Sequence, residues 1–98
     1  VIIGNNCSIG RRVHLIGPVV IRDGCTILED SVIEDSVVWR NARLGPRANL
    51  KSAILADNCC LNEGGICVES ALGDNVTVLN GCKLEPGSKI EPGETVGA

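Results

Sequence analysis

His14 is the single histidine of a 98-residue chain that also carries six cysteines. Those seven side chains are where proton-transfer, metal or thiol chemistry would have to reside. An imidazole titrates near neutrality and suits a general base. The cysteines stand at 7, 25, 59, 60, 67 and 82, without the paired spacing of a zinc site or the density of a disulfide scaffold. They read as reduced thiols, and the chain as cytoplasmic. Acidic and basic residues are interspersed, with a net charge of -3, and the chain has one Trp, no Phe and no Tyr. That composition gives no basic patch interleaved with aromatics, which argues against nucleic acid as a partner. No apolar run approaches the length of a membrane span, so no membrane partner is expected either.

The elements that must position these residues follow from a beat of six. Aliphatic residues recur at Ile3, Ile9, Leu15, Ile21, Ile27 and Ile33, then at Val38, Leu44, Leu50, Leu55, Leu61 and Ile66, then at Leu72, Val78, Leu84, Ile90 and Val96. Six residues hold one short strand and one corner, and are too few for a helical hairpin. Every third beat falls in one column. Ile3, Ile21, Val38, Leu55, Leu72 and Ile90 form the first. Ile9, Ile27, Leu44, Leu61, Val78 and Val96 form the second, and Leu15, Ile33, Leu50, Ile66 and Leu84 the third. Three columns predict a three-sided coil with strands stacked about 4.8 Å apart, just over five coils and about 25 Å tall. Five-residue steps place single-residue corners at Asp35, Ser52 and Glu63.

Strands alternate inward and outward, so the residue two before each beat also points in. These residues are mostly small: Cys7, Cys25, Ala42, Cys59 and Val76 before the second column, and Val13, Ser31, Ala48, Gly64 and Cys82 before the third. The cysteine column of 7, 25 and 59 therefore reads as packing, because buried Cys behaves as a small hydrophobe. Cys60 and Cys67 are expected to face outward and to react with thiol reagents. Glu94 breaks the small-residue rule and suggests a frayed or capping last coil. Between the first and second columns the second corner residue is always Asn or Gly (Asn6, Gly24, Asn41, Asn58, Asn75, Gly93), the types that best tolerate positive φ. A left-handed conformation is predicted at each.

One outer surface stands out. Beside the first column lie Ile2, Val20, Val37, Ile54 and Ala71 on one flank, with Arg22, Trp39 and Ala56 on the other. Beside the second lie Ser8, Thr26, Arg43, Cys60, Thr77 and Thr95. The apolar side is expected to be covered, by a second subunit or by another domain, with Trp39 as its anchor. Glu34 and Lys51 are expected to sit one coil apart on the third side. An open end of the stack would present unpaired strand groups and favour end-to-end association.

Three hexapeptides, Ile3–Ser8, Ile9–His14 and Leu72–Thr77, carry the order aliphatic, Gly, two corner residues, small, any. The pattern resembles the hexapeptide repeat of left-handed parallel β-helices and covers essentially the whole chain. The resemblance implies an all-β fold of about five triangular coils and supplies the left hand, an exception to the usual right-handed crossover.

The five-residue steps, the phrase EDSVIEDSVVW from Glu29 to Trp39, and Arg43-Leu44-Gly45 are similar to the C-terminal domain of sugar-1-phosphate nucleotidyltransferases. Mannose-1-phosphate guanylyltransferases and glucose-1-phosphate adenylyl- or thymidylyltransferases are of this type, and exchange-factor subunits of translation initiation are related. In that family the nucleotide, sugar and Mg²⁺ sites lie in an N-terminal α/β domain. The resemblance thus implies a non-catalytic oligomerisation or regulatory domain, residues 1–98, with the catalytic domain as its partner and no cofactor of its own; the apolar stripe adds the expectation of a homo-oligomer formed through the Trp39 side. The absence of Met and a start at Val1 in mid-pattern fit a piece of a longer protein. GDP-mannose is the sugar nucleotide expected. Hexapeptide acyltransferases use a histidine base in a subunit cleft, which leaves His14 as the alternative catalytic residue. β-Helical carbonic anhydrases need three zinc-binding histidines, and this chain has one. A purely structural assembly module is a further alternative.

Overall fold

A unit of five or six residues has room for a strand of two or three residues and a tight corner, and the fold follows from repeating it. The computed structural model describes residues 1–97. It is a left-handed parallel β-helix with three flat sides: two sheets of six strands, one of five, and every pairing parallel. The first side stacks Ile2–Ile3, Val20–Ile21, Val37–Val38, Ile54–Leu55, Ala71–Leu72 and Lys89–Ile90. Five coils are complete, and a sixth supplies strands to the first and second sides only. The body measures 29 × 21 × 19 Å, in keeping with strand spacing. Each coil bonds to the next through a continuous backbone ladder, such as Gly4 N–H to Ile21 O at 2.7 Å and Trp39 N–H to Leu55 O at 2.9 Å.

The interior is a stack of aliphatic layers. Ile21, Val38 and Leu55 of the first column, and Ile27, Leu44, Leu61 and Val78 of the second, are fully shielded from solvent. Branched aliphatic side chains fill these layers, in keeping with the near absence of aromatics from the chain. The small second inward positions close the corners: Ala42, Ala48, Ala53 and Cys59 are each about 1% exposed.

The third column departs from expectation at one coil. Cys67, not Ile66, pairs in register with Leu50 and Leu84, and Cys67 is fully buried while Ile66 points outward. The inward small residue before it is Gly65 rather than Gly64, and the short step falls at Glu69 rather than Glu63. All three single-residue corners, Asp35, Ser52 and Glu69, therefore lie between the third and first sides, with φ of 49°, 50° and 47°. The physical reason is register. Placing Cys67 inward gives the third column even spacings of 18, 17, 17 and 17, whereas Ile66 would have forced one coil to 16.

The six corners between the first and second sides are left-handed as predicted, at Asn6, Gly24, Asn41, Asn58, Asn75 and Gly93, with φ between 57° and 81°. The last coil is paired rather than frayed. Thr77 and Val78 match Thr95 and Val96, and the Glu94 carbonyl accepts from Thr77 N–H at 3.0 Å while its side chain stays exposed.

Candidate functional site

Parallel stacking at intervals of 17 or 18 brings one outer residue of each coil into line. On the first side Ile2, Val20, Val37, Ile54, Ala71 and Lys89 are consecutive register partners. Ile2 is 66% exposed, Ile54 48% and Trp39 38%, so apolar surface lies open along the stripe. The Arg22 guanidinium sits 5.1 Å from the centroid of the Trp39 ring, within cation–π range. Ala56 and Gly73 follow Trp39 on the same flank, and a Cβ at Gly73 would meet Pro92 N at 2.8 Å. The flank thus stands high at Arg22 and Trp39 and recedes below them. A shallow groove of about 330 Å³ runs along the other edge, lined by Ser52, Ile54, Glu69, Ala71, Gly87 and Lys89 among others. The single-residue corners at Ser52 and Glu69 lie on its rim. All eight residues expected at an interface lie on or beside this one side. The second side aligns Ser8, Thr26, Arg43, Cys60, Thr77 and Thr95 on the same backbone plan and is far more polar.

His14 lies exposed on the third side beside Val32. Among the described residues of this single chain no side chain hydrogen-bonds its ring. Glu34 and Lys51 are register partners there without an ion pair between them. The ion pairs lie at the corner between the second and third sides, Arg12 with Asp30 and Arg47 with Glu63. The Arg12 hydrogen bond holds the Asp30 carboxyl below the usual carboxylate range.

The thiols serve the scaffold. Cys7, Cys25 and Cys59 donate Sγ–H to the carbonyls of Arg22, Trp39 and Gly73 in the following coil, at 3.1, 2.8 and 3.0 Å. Burial pushes the Cys25 and Cys59 thiols up and takes Cys67 to about 11. Cys67 is therefore a buried and unreactive thiol, the reverse of the expectation. Cys60 does face outward, half-buried, with Sγ 3.2 Å from Asn62 Oδ1. All six are free.

The phrase from Glu29 to Trp39 also proves structural. Asp30 and Asp35 take left-handed corners. Ser31 and Ser36 fill buried slots, donating to Gly45 O at 3.0 Å and Glu34 O at 2.7 Å. The Ser36 hydroxyl also accepts from Ala53 N–H at 3.1 Å. Sequence reasoning placed Ser31 inside, and the same spacing before Val38 places Ser36 there, but it missed that their hydroxyls satisfy main-chain groups, a role that inward polar residues need when buried.

Comparison with known proteins agrees with this geometry. Residues 1–35 match the bacterial transferase hexapeptide (six repeats) family. The chain is 40% identical over 80 residues to the Bifunctional protein GlmU of Synechococcus elongatus, covering 81% of this chain and 17% of that protein, and matches the GlmU of a second Synechococcus strain equally. It is 32% identical over 69 residues to the UTP–glucose-1-phosphate uridylyltransferase of Synechocystis sp., covering 70% of this chain and 18% of that protein. The chain thus spans less than a fifth of the length of the curated relatives it matches. A sequence that repeats in hexapeptides throughout, folds into three parallel sheets and aligns with these enzymes belongs to the hexapeptide-repeat left-handed β-helices.

Proposed function

We propose that the chain is the non-catalytic β-helical domain of a sugar-1-phosphate nucleotidyltransferase, C-terminal to the catalytic unit, and that it holds subunits or domains in place. The observation that carries this reading is the 32% identity to a UTP–glucose-1-phosphate uridylyltransferase over 70% of the chain. The fold supports it: the interior is filled by aliphatic side chains, and the distinctive feature is the apolar outer stripe around Trp39. A stripe of this kind suits a scaffold that another protein surface covers.

In the whole protein, a sugar-1-phosphate oxygen attacks the α-phosphorus of a nucleoside triphosphate and pyrophosphate leaves. Mg²⁺ bound in the catalytic unit would supply neutralisation of the phosphate charge. In this reading residues outside this chain would hold both substrates and the metal. The named uridylyltransferase makes UTP and glucose-1-phosphate the first pair to try, ahead of the GTP and mannose-1-phosphate that GDP-mannose synthesis would use. Reduced thiols suit a cytoplasmic setting. Among the described residues no helix is long and apolar enough to cross a membrane.

The test offers the longer protein Mg²⁺, each nucleoside triphosphate and a panel of sugar-1-phosphates, and follows pyrophosphate release. Parallel reactions with acetyl-CoA and sugar acceptors follow free thiol. Pyrophosphate release is the expected result and names base and sugar together. Thiol release lost in His14→Ala would replace the reading with acyl transfer. Silence in both would leave an assembly module.

A further inference from the structure

Two of the six thiols stand one above the other. Cys7 and Cys25 occupy the same inward position in the first and second coils, just ahead of the register partners Ser8 and Thr26. Ser8 N–H donates to the Cys25 carbonyl at 2.9 Å, which holds the two residues side by side. Stacked coils set their Cα atoms about 4.8 Å apart, inside the roughly 4.4–6.8 Å that a disulfide spans. Cys7 Sγ already leans onto the second coil, 3.1 Å from Arg22 O. Among the described residues no other cysteine has a thiol next to it in its column. Cys59 lies between Ala42 and Val76, and Cys60 pairs in register with Arg43 and Thr77.

We propose that Cys7 and Cys25 are a redox-active dithiol, which a low-molecular-weight disulfide such as oxidised glutathione closes into an intramolecular disulfide. The two thiols differ in access, as such a pair requires. Cys7 is half-buried and meets the reagent, while Cys25 is buried and does not. Burial chiefly, with the Cys7 thiol adding to it, pushes the Cys25 thiol up, so Cys25 waits protonated. The Cys7 thiol gives up its proton, and its sulfur attacks one sulfur of oxidised glutathione. That S–S bond breaks, and one glutathione leaves as a thiolate and takes the proton. Cys25 then loses its proton and attacks Cys7 Sγ, and the second glutathione leaves in the same way. The protein gives up two hydrogens, and oxidised glutathione is reduced to two molecules of its thiol. Closing the bond removes both S–H donors. Arg22 O and Trp39 O lose the hydrogen bonds that reach them at 3.1 and 2.8 Å. These are the carbonyls of the cation–π pair on the first side, so the state of the thiols is felt at the Trp39 flank.

The test incubates the 98-residue chain, and the longer protein beside it, with oxidised glutathione and maps the products by digestion and mass spectrometry. A Cys7–Cys25 linkage is expected in both, reopened by dithiothreitol. In Cys25→Ala the reaction is expected to stop at a glutathione adduct on Cys7. Ala42 fills the same inward slot of the third coil at 1% exposure, so this variant keeps the fold. Cys60 faces outward without a thiol beside it, and its single adduct shows that the reagent is active. Trp39 is the one tryptophan, so the emission maximum of the 98-residue chain reads the flank. It is expected to shift on oxidation, return on reduction, and stay in place in Cys25→Ala. Three results would each overturn the dithiol: Cys7 left unmodified in either protein, a Cys7 adduct that accumulates equally with and without Cys25, or a linkage between other cysteines instead. A Cys7–Cys25 linkage that leaves the Trp39 emission where it was would overturn the coupling to the first side. None of these outcomes bears on pyrophosphate release by the longer protein, so the two readings stand or fall separately.

Discussion

The first and second sides share one backbone plan and differ most on the outside. Both stack six strands in parallel register, and both turn a column of buried aliphatics inward. Outside, one carries Val20, Val37 and Ile54, and the other Thr26, Arg43 and Thr77. Since polar outer residues serve the second side well, apolar ones on the first are not a requirement of the coil. The difference separates what the fold needs from what a partner would need.

The largest expected effect tests the shared interior. Leu55 and Leu61 occupy the same coil, one behind each side, and both are fully buried. Leu55→Ala and Leu61→Ala should each cost about 2–5 kcal/mol by urea denaturation, and by similar amounts. A difference above about 2 kcal/mol would show that the two sides are not equivalent within.

The corner joining the sides comes next. Asn58 holds φ of 62° there. Asn58→Ala should cost roughly 1 kcal/mol, while Asn58→Gly is close to neutral, as read from thermal midpoints.

Alkaline pH probes the buried thiols behind all three sides. The Cys67 thiol is raised from 9.0 to about 11, so the folded state keeps a proton that the unfolded chain releases earlier. Its stability contribution is complete below about 9 and is lost as pH rises toward about 11. Urea midpoints measured across that window should fall, and fall less in Cys67→Ala when each protein is compared with its own value at neutral pH.

The smallest effects on stability belong to the outer residues themselves. Val37→Thr and Thr26→Val should each shift stability by less than about 0.5 kcal/mol. Self-association should weaken in the first and not in the second, by sedimentation. Equal behaviour would dissolve the contrast between the sides.

Most of the scaffold was readable because a coil repeats its constraints. Two full columns and all six corners from Asn6 to Gly93 follow from residue type at fixed intervals. The reading slipped at Ile66 and Cys67, where steps of six then five and five then six both reach Leu72 from Leu61. Ile is the stronger strand former, and Gly64-Gly65 suits either corner. What decided the matter was stacking: a single-residue corner at Glu69 lies directly over Ser52 and Asp35, and one at Glu63 would not. The apolar stripe was equally legible as a pattern.

The nearly constant coil of 17 or 18 residues makes the molecule a ruler. Each coil touches only its neighbours, so contacts do not depend on how many coils there are. Inserting one more 17-residue unit would lengthen the rod by about 4.8 Å and leave every side in line. Distance between whatever is attached at its ends can thus be set in increments, without redesigning the interior. A globular core of the same size offers no such graduation, since adding a segment there disturbs packing on all sides at once.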